Sequence, residues 1–111
     1  MHELGLAKDL AAVVFEKIKQ NNNKKLKKIC IVVGEASGIE KDFLEHSLKE
    51  HIFKGTELEN VVIEFKIQKV GIRCKKCNKD FFEPVMKCNC GCVDFDILSG
   101  KEFFIEFLEF E

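Results

Sequence analysis

Five of the six cysteines in this chain lie between positions 74 and 92, as Cys74-Lys75-Lys76-Cys77 and Cys88-Asn89-Cys90-Gly91-Cys92. No other feature limits the fold so sharply. A C-x-x-C turn directs two thiolates at one tetrahedral ion, and two such clasps joined by a short loop make a closed four-cysteine site of the structural zinc kind. Other chemistries fit less well. A thioredoxin-like redox pair wants a βαβ context around its C-x-x-C, and iron–sulfur motifs space their cysteines differently. The segment is rich in lysine and poor in apolar residues, so it cannot fold by burial alone, and Zn(II) would supply the folding free energy. Nothing beside the cysteines suggests an open catalytic position.

The second clasp is irregular, because Lys87 stands where regular C-x-x-C spacing would put a cysteine. Cys74, Cys77 and Cys90 are the firm ligands. Cys88 is the preferred fourth, since the loop before it is long enough to adjust. Cys92 competes for that role, and exchange between the two stays open. Cys30 sits in an apolar run and reads as a buried structural thiol.

A chain of 111 residues holds one small domain, or one domain with an appendage. Net charge is −1, so a general affinity for nucleic acid or for anionic membranes is not the expected role. No apolar stretch reaches the length of a spanning helix. The N-terminus lacks the basic-then-apolar order of a secretory signal. The chain reads as cytoplasmic, where cysteine clusters hold metals more often than they form disulfides. With eleven Phe and neither Trp nor Tyr, the core must be built on Phe with Ile, Leu and Val. The lysine run at 24–28 reads as a solvated loop.

Helical spacing runs over residues 4–19, with Leu6, Leu10, Val13, Val14 and Ile18 on one broad face. Asn21-Asn22-Asn23 stops it, since Asn tolerates left-handed turns. The β-branched run Ile29–Val33 is apolar on both faces and suits a central strand. A second helix is expected from near Glu40 to before Gly55, its apolar face formed by Ile39, Phe43, Leu44, Leu48 and Ile52. Residues 61–69 alternate as a half-buried strand, with Val61, Ile63, Phe65 and Ile67 on one side. Strands at Phe95–Leu98 and Phe103–Phe110 follow the cysteines. The fold class is α+β: two helices packed on a small three-stranded sheet, with an inserted zinc-ribbon module. Residues 1–69 and 94–111 make a discontinuous main domain, and 70–93 make the ribbon.

The opening Met1-His2-Glu3 is a ready chelator. The α-amine, a backbone amide and the His2 imidazole can converge on one ion, and the deprotonated amide of Glu3 would supply a fourth nitrogen. Four nitrogens in a plane suit Ni(II) or Cu(II). His46 and His51 are five residues apart, a spacing that does not share a face of an α-helix, and they read as ordinary helix residues.

These motifs together resemble one family. Met1-His2-Glu3-Leu4, a helix, the segment Gly34–Glu40, the C-x-x-C, the closing Cys90-Gly91 and the ending Asp96–Glu102 are similar, in order and over essentially the whole chain, to the HypA/HybF nickel metallochaperones. The resemblance implies a nickel-binding domain and a zinc-ribbon domain. It implies delivery of Ni(II) during maturation of [NiFe]-hydrogenase, with the GTPase HypB and the hydrogenase large-subunit precursor as partners. In some organisms it also implies service to urease, and it leaves room for a homodimer. Carried over by position, His2 is the essential nickel ligand, with Met1 and Glu3 beside it through amine and backbone nitrogen. Glu40 matches an acidic position near that site. The family has C-x-x-C at the second clasp, where this chain departs.

An enzyme has little support: there is no nucleophile–base constellation, and the glycines at 34 and 38 lack the lysine of a phosphate-binding loop. The rival from another class is a zinc-ribbon adaptor for nucleic acid or protein. It would use Lys75, Lys76, Lys79 and Lys87, with Phe81 and Phe82 stacking on bases. The acidic end of the chain and the balanced charge weigh against it.

Overall fold

The computed structural model describes residues 2–111, with side chains from residue 4 onward. The N-terminal periodicity is realised as helix α1, His2–Gln20. Its buried face is Ala7, Leu10, Ala11, Val14 and Ile18, a regular i, i+3, i+4 stripe. Val13, expected on that face, is half exposed, because the stripe is centred on the small Ala7 and Ala11 instead. The three asparagines end the helix. Asn22 and Asn23 take φ of 59° and 57°. Their amides close onto Lys19 and Ile18, while the Asn21 side chain donates to the Lys17 carbonyl at 2.9 Å.

Strand β1, Leu26–Gly34, starts earlier than the branched run suggests. Lys27 and Lys28, expected in a solvated loop, are part of it. Their ammonium groups reach Glu109 at 3.3 Å and Glu64 at 3.0 Å on the neighbouring strands, which gives the lysines a place on the sheet. β1 is the centre of a three-stranded sheet in the order β2-β1-β6, where β2 is Val62–Gln68 and β6 is Phe103–Phe110. Ile29, Cys30 and Ile31 are wholly buried, as a central strand requires. The Cys30 thiol donates toward Glu64 Oε1 at 3.8 Å and Glu106 Oε1 at 3.9 Å on the flanking strands. The alternation of β2 holds at Val61 and Ile63 but fades by Ile67, which is half exposed.

The second helix departs most from its expected form. Helix α2 is only Lys41–His46, and it continues as a π turn over Ser47–Ile52. The wider turn is closed by the Phe53 amide donating to the Leu48 carbonyl at 2.7 Å, five residues back. The expected face of Ile39, Phe43, Leu44, Leu48 and Ile52 therefore becomes Leu44, Leu48 and Phe53, all wholly buried; Ile39 precedes the helix, and Phe43 is left mostly exposed. Phe53 meets Phe15 of α1 edge-to-face, with centroids 6.0 Å apart. Burying a ring of that size is worth about 1.5–3 kcal/mol.

Three short strands form the second sheet: β3, Gly71–Cys74; β4, Asp80–Phe81; and β5, Phe95–Ser99. The order is β4-β3-β5. Strand β5 pairs antiparallel with β3 through Arg73↔Asp96 and Cys74↔Phe95. Its apolar residues found a partner in the cysteine-bearing segment, a pairing that alternation cannot foretell. By packing, one compact unit runs through Ile31 and includes Ile39–Phe65 and Ile105–Glu111; the other holds Val32–Gly38 and Lys66–Phe104. Within the second, the Glu35 carboxylate accepts the Val70 amide at 2.7 Å, and the Gly34 amide donates to the Glu102 carbonyl at 2.7 Å. No helix among the described residues is long and apolar enough to cross a membrane.

Candidate metal centre

The first cysteine clasp is built at the end of β3. Cys74 is its last residue, and a tight turn follows in which the Asn78 amide donates to the Cys74 carbonyl at 3.0 Å. Asn78 adopts φ of 63° to close that turn, and the Cys74 amide donates back to the Lys79 carbonyl at 2.9 Å. The second clasp is a similar knuckle. Gly91, at φ of 96°, donates to the Cys88 carbonyl at 2.9 Å, while the Cys88 amide donates to the Cys92 carbonyl at 2.8 Å. A left-handed residue follows the last cysteine in each case, which lets the chain wrap around its sulfurs.

The two knuckles bring the sulfurs of Cys74, Cys77, Cys88 and Cys90 within 4.8 Å of one another. Cys74 and Cys90 are 3.6 Å apart, and Cys77 and Cys88 are 3.5 Å apart. Four thiolates at about 2.3 Å from a tetrahedral zinc would have sulfur–sulfur edges of about 3.8 Å. The cluster therefore accepts an ion at its centre with little movement. Cys92 is not in the group. Its sulfur is engaged with the Asp94 main chain, 3.4 Å from both the amide and the carbonyl oxygen. Of the two residues left open as fourth ligand, the fold brings Cys88 to the cluster and turns Cys92 away.

Charge within the cluster is uneven. The Cys77 amide, donating at 3.5 Å, chiefly brings the Cys74 thiol down to about 6; burial opposes this and the Lys76 amide assists at 3.4 Å. At Cys77 the Lys79 amide works to lower the pKa. Proton sharing with Cys88, burial and the nearness of Cys74 and Cys90 outweigh it and push the thiol up to about 12. Cys90 is raised as well: the Cys92 amide pulls it down, but burial and the neighbouring sulfurs of Cys74 and Cys88 prevail. Without a cation, the Cys74 thiolate forms readily, while Cys77 and Cys90 hold their protons. A divalent ion entering the cluster displaces those protons, so its uptake strengthens as pH rises.

The ribbon is braced around these knuckles. Arg73 and Asp80 face each other across β3 and β4 and form a bidentate pair at 2.7 and 3.1 Å. Asp80 is held below its ordinary range, mainly by hydrogen bonding from Arg73. Phe81 meets Phe95 edge-to-face at 6.1 Å, with the Lys79 ammonium over its ring at 5.1 Å. Lys75 lies 3.6 Å from Asp94 and 3.8 Å from Asp96. Two of the lysines and one of the rings invoked for a nucleic-acid adaptor are thus already engaged within the ribbon.

Of the N-terminal ligands, Met1 and the side chains of His2 and Glu3 lie outside the described residues. What is described is that α1 begins at His2. Glu40 takes the N-cap position of α2, and its carbonyl accepts the Leu44 amide at 3.0 Å. One pairing is invisible in the sequence altogether: the rings of His46 and His51 are in contact, with centroids 5.1 Å apart. The α-helical spacing that set them apart does not apply across the π turn.

The comparisons with known proteins agree with one another. The family model described as "Hydrogenase/urease nickel incorporation, metallochaperone, hypA" matches residues 1–110. The hydrogenase maturation factor HypA of Aquifex aeolicus is 32% identical, over all of this chain and 98% of its own. That of Nostoc punctiforme is 31% identical, over all of this chain and 96% of its own. Among solved structures, a solution structure of a HypA protein superposes with a TM-score of 0.70 at 23% identity, covering all of this chain and 97% of that one. The nickel metallochaperone HypA from Helicobacter pylori gives 0.64 at 21% identity, covering 97% and 96%. At those identities the structural likeness speaks for the fold.

Proposed function

Since the chain belongs to the HypA family of hydrogenase/urease nickel-incorporation metallochaperones, and is not an enzyme, we propose how two metal sites divide its work. The N-terminus carries the cargo: Ni(II) is held by His2 together with the Met1 amine and the backbone nitrogens of His2 and Glu3. The Cys74, Cys77, Cys88 and Cys90 cluster holds Zn(II) as a permanent structural ion. The nickel is passed in the cytoplasm toward a [NiFe]-hydrogenase large-subunit precursor, with the GTPase HypB as partner.

The observation that carries the nickel reading is that α1 starts at His2. The first four amides of a helix have no intrahelical acceptor. The nitrogens of residues 2 and 3 are thus not committed to the helix and can deprotonate onto a metal without breaking one of its hydrogen bonds. The site is at a chain end, so a receiving protein can replace its ligands one at a time. A closed site of four cysteines offers no such approach and suits an ion that stays. Amine and imidazole must be unprotonated to bind, so nickel affinity falls as pH drops through the histidine range.

The test is a count of both metals per chain after loading with Ni(II) and removal of loose ions. The wild type should retain one nickel and one zinc; His2→Ala, and separately a short N-terminal extension, should lose the nickel and keep the zinc. Nickel retained at full affinity in both variants would overturn the reading.

A further inference from the structure

We propose that His46 and His51 form a second metal site, a two-imidazole chelate for a late divalent transition ion on the surface of the π turn. In an α-helix, residues five apart point about 140° away from each other. The turn over Ser47–Ile52 is closed by i→i−5 bonding instead, which stacks each residue near the one five before it. The Phe53 amide bonded to the Leu48 carbonyl shows that pitch directly. The π turn has a packing reason, since it carries Phe53 into the core. Its second consequence is that two imidazoles, both exposed to solvent, are brought together.

The separation of the rings suits a shared ion. An imidazole bound at 2.0–2.1 Å through one nitrogen has its centroid about 3.2 Å from the ion, so two rings on a tetrahedral ion have centroids about 5.2 Å apart. For a right-angled pair of the kind found in square-planar or octahedral sites, the same arithmetic gives about 4.5 Å. The observed 5.1 Å is close to the tetrahedral separation; the rings now meet edge to face at 75°, and binding needs each to turn about its side-chain torsions until one nitrogen faces the ion. Imidazole favours zinc, copper, iron and nickel over the hard cations. Among the described residues, the contact recorded for each ring is with the other. Carboxylates are at hand in sequence: Asp42 four residues before His46, its side chain almost fully exposed, and Glu50 beside His51. With two protein nitrogens and solvent in the remaining positions, such a site exchanges its ion readily. It suits capture or hand-on of a metal, and it belongs to the helical unit rather than to the ribbon. It does not depend on the N-terminal nickel reading.

The chain has three histidines, which makes the experiment clean. In the full-length, zinc-filled chain carrying His2→Ala, His46 and His51 are the only imidazoles left. Zn(II) in one arm and Ni(II) in the other are titrated by calorimetry, while the two imidazole signals are followed by NMR. The expected result is one further equivalent of at least one of these ions, with both ring signals shifting together. That equivalent should be lost in His46→Asn and in His51→Asn, both surface changes that leave the fold intact. If neither ion binds beyond the cysteine cluster, or if a further equivalent survives in the double variant, the proposal is overturned.

Discussion

Replacing Cys88 by serine, with Cys92→Ser as its partner experiment, tests the assignment of the fourth thiolate. Structural zinc sites are worth about 10–16 kcal/mol of apparent binding free energy near neutral pH, or about 2.5–4 kcal/mol for each of four equal ligands. At 1.4 kcal/mol per factor of ten, losing one thiolate should weaken zinc retention by about 100- to 1,000-fold. The geometry says which cysteine incurs that loss. The Cys88 sulfur is buried and 3.5 Å from that of Cys77. The Cys92 sulfur is hydrogen-bonded to the Asp94 main chain at 3.4 Å, contacts that a serine hydroxyl can also make. Cys92→Ser should then behave as an ordinary surface change, within about 0.5 kcal/mol, or about twofold. Competition against chromophoric chelators of graded affinity, at fixed pH, reads both numbers on the intact chain. Circular dichroism of each variant checks that the helical unit is unaltered. If Cys92→Ser releases zinc as readily as Cys88→Ser does, or if Cys88→Ser holds zinc like the wild type, the four-sulfur assignment fails.

Other consequences follow from particular contacts. A Cβ on Gly34 would fall onto the Gly100 carbonyl and lie 2.9 Å from the Glu102 nitrogen. Gly34→Ala should therefore cost about 3 kcal/mol or more, seen as a lower urea midpoint, because fixed backbone has to move. Phe53→Ala should cost about 3–5 kcal/mol by the same measurement, since the ring is wholly buried where the π turn puts it. Asp80 has a lowered pKa in the folded state, so its pairing with Arg73 stabilises the ribbon above the ordinary carboxylate range. That contribution should fade as pH falls through the folded pKa, and Asp80→Asn should flatten that part of the acid unfolding profile, read from ribbon amide exchange.

Much of the molecule was legible before any coordinates. The asparagine stop, the buried central strand and the cysteine module are local matters of propensity, burial pattern and ligand spacing, and they depend little on what packs nearby. The family resemblance rested on the same short segments. The failures share a different cause. Val13 and Phe43 are apolar at helical spacing, yet which side of a helix is covered depends on the partner it meets. Strand β5 likewise carries no mark of its partner in sequence; it pairs with β3.

The cysteine segment shows the same division at atomic scale. Spacing alone pointed to a thiolate cluster with Cys74, Cys77 and Cys90, because two short knuckles can present sulfur in few other ways. It left Cys88 and Cys92 competing, since both are near enough along the chain. Tertiary structure groups only Cys88 with the other sulfurs: Gly91 turns left-handed, the Cys88 amide bonds the Cys92 carbonyl, and the Cys92 sulfur is left facing Asp94. The histidine pair was out of reach from sequence for a related reason. The π turn ends where Phe53 is wholly buried, and burial of that ring, worth about 1.5–3 kcal/mol, exists only once the core around it is assembled.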